Sequence, residues 1–170
     1  MIVNKTLEIL NELKDKGLIE DYAIGGGIAT VHYVESFFTK DLDIFVKIKN
    51  DLISRLDILG DVYTYLDNKG YKFEGEHIMI EGMPVQFLVG SDGLEKEALE
   101  DAKEITYGGV KTKILAPEYL IAIALSVGRS KDKDKVHKFV EQEVALDNGK
   151  LDKILGKYGL DGKYRAIKNT

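Results

Sequence analysis

Two carboxylates stand one residue apart at the start of an otherwise apolar segment, residues 41–46 with the sequence DLDIFV. Because side chains alternate along a β-strand, Asp41 and Asp43 share one face while the even-numbered apolar residues lie on the other. Two like charges side by side are costly unless a cation or an ion pair offsets them. We therefore predict that the pair holds a divalent cation, with solvated acids at the entrance of a strand as the alternative.

Three glycines precede these acids in the segment 22–38. Tyr22–Ile24 is typical of a short buried strand, Gly25-Gly26-Gly27 of a turn, and Ile28–Phe38 of a helix, because apolar residues recur there at helical spacing. Free backbone N–H groups at the start of a helix favour a bound phosphate. A metal site beside a phosphate site indicates phosphoryl transfer, although a tight connection from strand to helix would by itself also require glycine.

This arrangement resembles a known signature. Gly26-Gly27, thirteen further residues and then Asp41-x-Asp43 resemble the motif of the nucleotidyltransferase superfamily with the DNA polymerase β-like fold. Within it, the chain is most similar to the small proteins grouped with AbiEii-type toxins. The segments 114–122 and 128–132 also resemble the helix and basic turn that follow the catalytic sheet there, so the resemblance covers roughly residues 20–140.

The resemblance implies an activity and a set of residues. The expected reaction moves a nucleoside monophosphate from an NTP to an acceptor, either tRNA, a protein hydroxyl or a small molecule. Asp41 and Asp43 would bind Mg²⁺, and Gln86 would orient a water or the acceptor hydroxyl. The implied nucleotide-binding residues are Gly25, Gly26, Gly27, Thr39, Arg129 and Lys131.

Two positions depart from the family pattern. Gln86 stands where a third carboxylate is usual, and Ala124 stands where a lysine is common. An amide offers a carbonyl oxygen to a hard cation but brings no charge and cannot act as a general base. The alternative function is therefore an impaired nucleotidyltransferase fold that binds a nucleotide or a protein partner, as in a toxin–antitoxin pair.

Other site classes fit less well. A dinucleotide site of the Rossmann type also has a glycine turn between a strand and a helix, but Thr30 stands where its third glycine belongs. No lysine of the P-loop type follows the glycines. His77 and His137 lack neighbours at the spacing of zinc ligands, so neither is expected to bind zinc.

Composition bounds the class of protein. A chain of 170 residues without cysteine suits one domain and excludes disulfides and thiolate chemistry. The absence of an early apolar leader or a long apolar run favours a cytoplasmic protein with no membrane association. A net charge of −5 gives no general attraction to nucleic acid. The basic residues within 129–138 alternate with acids and are interpreted as a solvated helical face, with a local basic surface that receives triphosphate or RNA as the alternative.

These patterns predict an α/β (α+β) fold, with a small mixed sheet, helices on one side, and a helical C-terminal extension of residues 129–170 packed on a domain of residues 1–128. Predicted helices cover 4–16, 50/51–70 with a break at Gly60, 94–102 and 117–127. Predicted strands cover 77–81 and 85–89 around Glu81-Gly82, and 105–107 and 110–115 around Gly108-Gly109.

Overall fold

One mixed sheet of seven strands is present in the part of the chain that the computed structural model describes, residues 2–48, 55–90 and 93–170. The strands are β1 (Asp21–Ile24), β2 (Leu42–Lys47), β3 (Phe73–Glu74), β4 (His77–Ile80), β5 (Met83–Val89), β6 (Lys103–Tyr107) and β7 (Val110–Ile114). Their spatial order is β3-β4-β5-β2-β1-β7-β6. The pairs β2–β5 and β1–β7 are parallel and the other neighbours are antiparallel, which confirms the predicted mixed sheet.

Helices precede, interrupt and follow these strands. Within the described ranges they are α1 (Ile2–Asp15), α2 (Gly26–Tyr33), α3 (Arg55–Asn68), α4 (Gly93–Glu100), α5 (Pro117–Val127), α6 (Ser130–Glu141), α7 (Asn148–Tyr158) and α8 (Asp161–Lys168). The predicted helix over 117–127 is confirmed at both ends. The C-terminal residues are helical as predicted, and their apolar side chains, including Phe139 and Leu155, belong to the same hydrophobic core as the sheet. The division after residue 128 stays a prediction.

Helices pack on both faces of the sheet, so the prediction of helices on one side is wrong. On one face, Tyr22 of β1 donates a hydrogen bond to Asn11 of α1, and Tyr63 of α3 packs on Phe87 of β5 with ring centroids 6.1 Å apart. The opposite face lies against α2 and α5. The physical reason is visible in β2, where the consecutive residues Ile44 and Phe45 point to opposite faces and both are buried.

Helix α2 ends at Tyr33, five residues before the predicted end at Phe38. The backbone N–H of Glu35 donates to the side-chain oxygen of Gln142, and the Gln142 amide donates back to the Glu35 carbonyl. These two bonds take up backbone groups that a longer helix would use. The helical conformation has already ended at Val34, whose backbone is extended with φ −124° and ψ 151°, and Ser36 follows with a left-handed φ of 57°.

Three further predictions concern turns and breaks. Helix α3 continues through Gly60, so the predicted break there is wrong; the buried residues Val62 and Leu66 hold the same helix on the core. Its predicted start at Asn50 or Asp51 lies outside the described residues. Both predicted hairpins are confirmed, and the first turns through left-handed φ angles at Glu81 and Gly82. The short strand β3 was not predicted, because its two residues are exposed and show no alternation.

No helix in residues 2–48, 55–90 or 93–170 combines the length and the apolar character that crossing a membrane requires.

Candidate active site

Asp43 and Gln86 are nearest neighbours on the parallel strands β2 and β5. Together with Phe45 and Leu88, which follow them on the same face, they form the floor of a cavity of about 270 Å³. Helices α5 and α6 form its walls. A larger cavity of about 490 Å³ lies on the other face, between α1 and the β6–β7 hairpin, and is lined by none of the predicted site residues.

The glycine turn lies directly against the two acidic positions. The Gly25 N–H donates to the main-chain oxygen of Asp43 at 2.9 Å, which ties the turn to β2. Gly26 has a φ of +55°, and a Cβ there would lie 1.7 Å from Asp43 Oδ2. A Cβ on Gly27 would lie 2.5 Å from Thr39 Oγ1. Only residues without a side chain allow this approach.

The start of α2 places N–H groups without an intrahelical partner at the same point. The first hydrogen bond within the helix runs from Ala29 N–H to the Gly25 oxygen, and no side chain caps the helix. The N–H groups of Gly26, Gly27 and Ile28 therefore have no partner within the helix, and the helix dipole favours an anion there. The Gly25 N–H is already bonded to β2, and the predicted role of Gly25 in nucleotide binding stays a prediction.

Asp41 lies just before β2, beside the cavity but outside its lining. The Thr39 hydroxyl donates to Asp41 Oδ1 at 3.0 Å. His77 of β4 places Nε2 3.6 Å from Asp41 Oδ2, and this buried nitrogen makes no hydrogen bond to any residue in the described ranges. The carboxylate of Asp41 is thus held in place from one side and faces an imidazole on the other.

The two carboxylates have opposite pKa shifts. Burial and then the charge of Asp41 raise the pKa of Asp43 above its usual range, and the positive charge of Lys135 only partly opposes this. Burial also acts to raise the pKa of Asp41, but the Thr39 hydrogen bond, a hydrogen bond from its own backbone N–H and the charge of Lys131 together outweigh burial, so that pKa is lowered. The ionised form of Asp43 is therefore the less stable of the two carboxylates, and a bound cation would stabilise it.

The donors fit a magnesium ion that is completed by substrate. Within 2–48, 55–90 and 93–170, no group of three or more His, Asp or Glu side chains is arranged to hold a metal ion. Mg²⁺ in phosphoryl-transfer sites is commonly held by one or two carboxylates, with substrate phosphates and water supplying the remaining ligands. Asp41 and Asp43 match that pattern, and the neutral amide beside Asp43 adds an oxygen without adding charge.

The predicted basic residues differ in position. Arg129 lines the cavity at its exposed rim and donates through Nε to Asp132 Oδ2 at 2.8 Å. Lys131 is exposed and acts on Asp41 only through its charge. The buried cation of this region is Lys135, whose Nζ donates to Asp132 Oδ1 at 3.0 Å.

Sequence reasoning did not assign Lys135, Asp132 or His77 to the site. The interpretation of 129–138 as a solvated face holds for Lys131 and Lys133, which are exposed. The helical period of α6 could have indicated that Asp132 and Lys135 are buried, because they fall on the same face of the helix as the apolar residues Val136 and Phe139. His77 had no comparable signal, since its proximity to Asp41 depends on strand pairing.

The topology excludes the Rossmann alternative. Strands β1 and β2, which flank the glycine turn and α2, pair antiparallel. In a dinucleotide-binding βαβ unit the crossover helix joins parallel strands of the same sheet.

Comparisons with known proteins agree with this topology. The model of a family described as "Nucleotidyl transferase of unknown function (DUF2204)" matches residues 2–159. The chain is also similar in structure to an antigenic nucleotidyltransferase-like protein from Paracoccidioides brasiliensis, with a TM-score of 0.57 and 15% sequence identity over 96% of this chain and 90% of that one. At that identity the likeness concerns the fold alone. No curated protein matches the chain in sequence.

Proposed function

The chain belongs to the family of nucleotidyl transferases of unknown function, and from its site we propose that it moves a nucleoside monophosphate from an NTP to an acceptor hydroxyl. In this reaction the acceptor oxygen forms a bond to the α-phosphorus, the bond from that phosphorus to the bridging oxygen breaks, and pyrophosphate leaves. The acceptor proton is lost to water or to the leaving group.

One observation carries the proposal: the first turn of α2 lies directly against the Asp43 carboxylate, since a Cβ on Gly26 would be only 1.7 Å from Asp43 Oδ2. The N-terminus of α2 favours a bound anion, and the buried Asp43 carboxylate, whose pKa is raised, favours a bound cation. A phosphate together with a divalent cation satisfies both. The apolar walls of the cavity strengthen these charge interactions, because the local dielectric is lower than in water.

The residues have distinct roles in this proposal. Asp41 and Asp43 would hold Mg²⁺, which when bound supplies neutralisation of the phosphate charge. Gly26 and Gly27 would donate their N–H groups to phosphate oxygens. Gln86, beside Asp43, would orient the acceptor hydroxyl through its amide oxygen.

Gln86 also supports a second candidate function, a module that binds an NTP without transferring it. An amide beside Asp43 cannot remove a proton from an acceptor and gives a second cation no charge. A protein partner or a toxin–antitoxin role would belong to this second function. Both candidates predict metal-dependent nucleotide binding and differ only in chemistry.

The test separates binding from transfer. NTPs labelled on the α-phosphate are incubated with Mg²⁺ and with the RNA, protein and small-molecule fractions of a cell extract, and binding is measured in parallel by calorimetry. Asp43→Asn is compared with Asp134→Asn, which removes an exposed acid from α6. We expect wild type and Asp134→Asn to label one fraction, which identifies the acceptor class, and Asp43→Asn to lose about 100-fold in rate.

Three outcomes decide between the functions. Labelling that requires Asp43 supports the transferase. Binding that requires Asp43 and Mg²⁺ without labelling of any fraction replaces it with the binding module. Equal NTP and metal binding by wild type and Asp43→Asn rules out the site itself.

A further inference from the structure

Lys135 is a buried cation that faces the candidate nucleotide site. It is 9% exposed and lines the same cavity as Gly26, Asp43 and Gln86. Removing a lysine from water costs several kcal/mol unless partners compensate for the lost hydration. Its placement beside the two aspartates therefore calls for an explanation.

The partner of Lys135 compensates for only part of its charge. Asp132, 3% exposed on its side chain, gives one carboxylate oxygen to Lys135 and the other to Arg129. One negative charge is thus shared by two cations, and the cluster keeps a net positive charge. Lys135 is buried, whereas Lys133 on the same helix is exposed to solvent. The remaining positive charge faces the cavity that Asp43 also lines.

Helix α5 gives the cavity an apolar wall. It is built from Leu120, Ile123, Ala124 and Val127, which contribute no charge to the cavity. Lys135 and Gly26, the first residue of α2, both line this same cavity. A chain of phosphates is the ligand that would engage both at once.

We propose that Lys135, oriented by Asp132, is the main phosphate-binding side chain of this site and makes it select triphosphates over monophosphates. This inference rests on the proposed nucleotide site. It assigns the role to Lys135 in preference to Arg129 and Lys131, because their exposed charges are screened by solvent and salt. Lys135 is instead held in one position before the ligand arrives, so less conformational entropy is lost on binding.

The experiment measures binding alone, so it does not depend on catalysis. Calorimetry with Mg²⁺ and each of ATP, GTP, CTP and UTP identifies the preferred base, and the mono- and triphosphates of that base are then compared. The variants are Lys135→Met and its matched control Lys133→Met, which removes the same charge from the same helix at an exposed position. A third variant, Asp132→Asn/Lys135→Met, removes both charges of the ion pair and guards against misfolding caused by an unbalanced buried acid.

We expect Lys135→Met and the double variant to bind the triphosphate about 10- to 100-fold more weakly than wild type. Their affinity for the monophosphate should change much less, and Lys133→Met should stay within about twofold of wild type for both ligands. Triphosphate affinity of a folded Lys135→Met or double variant within twofold of Lys133→Met would overturn the assignment. If wild type binds no nucleotide, both this inference and the proposed function fail. If it binds but labels no acceptor, only the transferase fails.

Discussion

Gly26→Ala is the substitution for which the structure specifies the consequence most closely. Gly26 has a φ of +55°, where an L-residue is strained by about 1–2 kcal/mol. The added Cβ would also lie 1.7 Å from Asp43 Oδ2, so the carboxylate must leave its position. Moving it off its rotamer adds about 0.5–1.5 kcal/mol. We expect a total loss of about 1.5–3.5 kcal/mol, or roughly 3–14 °C in Tm for a chain of this size.

Two other glycines separate the causes. Gly159 has a φ of +66°, and a Cβ there would meet nothing within 4 Å, so Gly159→Ala measures the backbone strain without the clash. Gly60 lies inside α3 with the same open space and no unusual φ. Gly60→Ala should therefore stabilise the protein by about 0.5–1 kcal/mol.

Urea unfolding of the three variants gives the stabilities, and calorimetry with Mg²⁺ and NTP gives the effect on the site. Gly26→Ala should lose more stability than Gly159→Ala and should alone lose nucleotide binding, because both the carboxylate and the N–H groups of α2 shift. If Gly26→Ala matches Gly159→Ala in stability and binds nucleotide like wild type, then the contact between the turn and Asp43 does not have the importance assigned to it.

Further predictions follow from the acids and from the segment before β2. The pKa of Asp43 is raised in the folded protein, so its contribution to stability is present below its unfolded-state pKa and is lost as the pH rises through its folded-state pKa. Asp43→Asn should therefore stabilise the metal-free protein at neutral pH, and this gain should disappear in acid. Urea unfolding measured at a series of pH values tests this. Gln86→Glu should tighten Mg²⁺ binding in calorimetry and lower metal-free stability, because it places a third carboxylate beside Asp43; unchanged affinity would remove Gln86 from the site. Gln142→Ala should cost about 1 kcal/mol in thermal unfolding and speed hydrogen exchange at Glu35, since it removes both bonds that hold that residue, and unaltered exchange would contradict this account of where α2 ends.

The local features of the site could be read from the sequence because they depend on neighbours in the chain. The alternation of acidic and apolar side chains along 41–46 predicted that Asp43 lies on the face opposite Ile44. The three glycines predicted a turn followed by a helix. Pro117 marked the first residue of α5, and Glu81-Gly82 marked a hairpin. Each of these signals acts through backbone dihedral angles or through the period of an element, which a few residues determine.

The residues that surround the site are determined only by the tertiary structure. Contacts between distant segments determine the antiparallel pairing of β1 with β2 and the packing of helices on both faces of the sheet. They also determine the early end of α2, because Gln142 binds the backbone of Glu35 just beyond that helix. The same holds for His77 beside Asp41 and for Lys135 in the cavity of Asp43. The sequence showed that Lys135 is a lysine among alternating charges, which is ordinary on a solvated helix. Its burial follows from the packing of α6 on α5, because side-chain environment is set by the neighbours that the fold assembles and not by the residues adjacent in the chain.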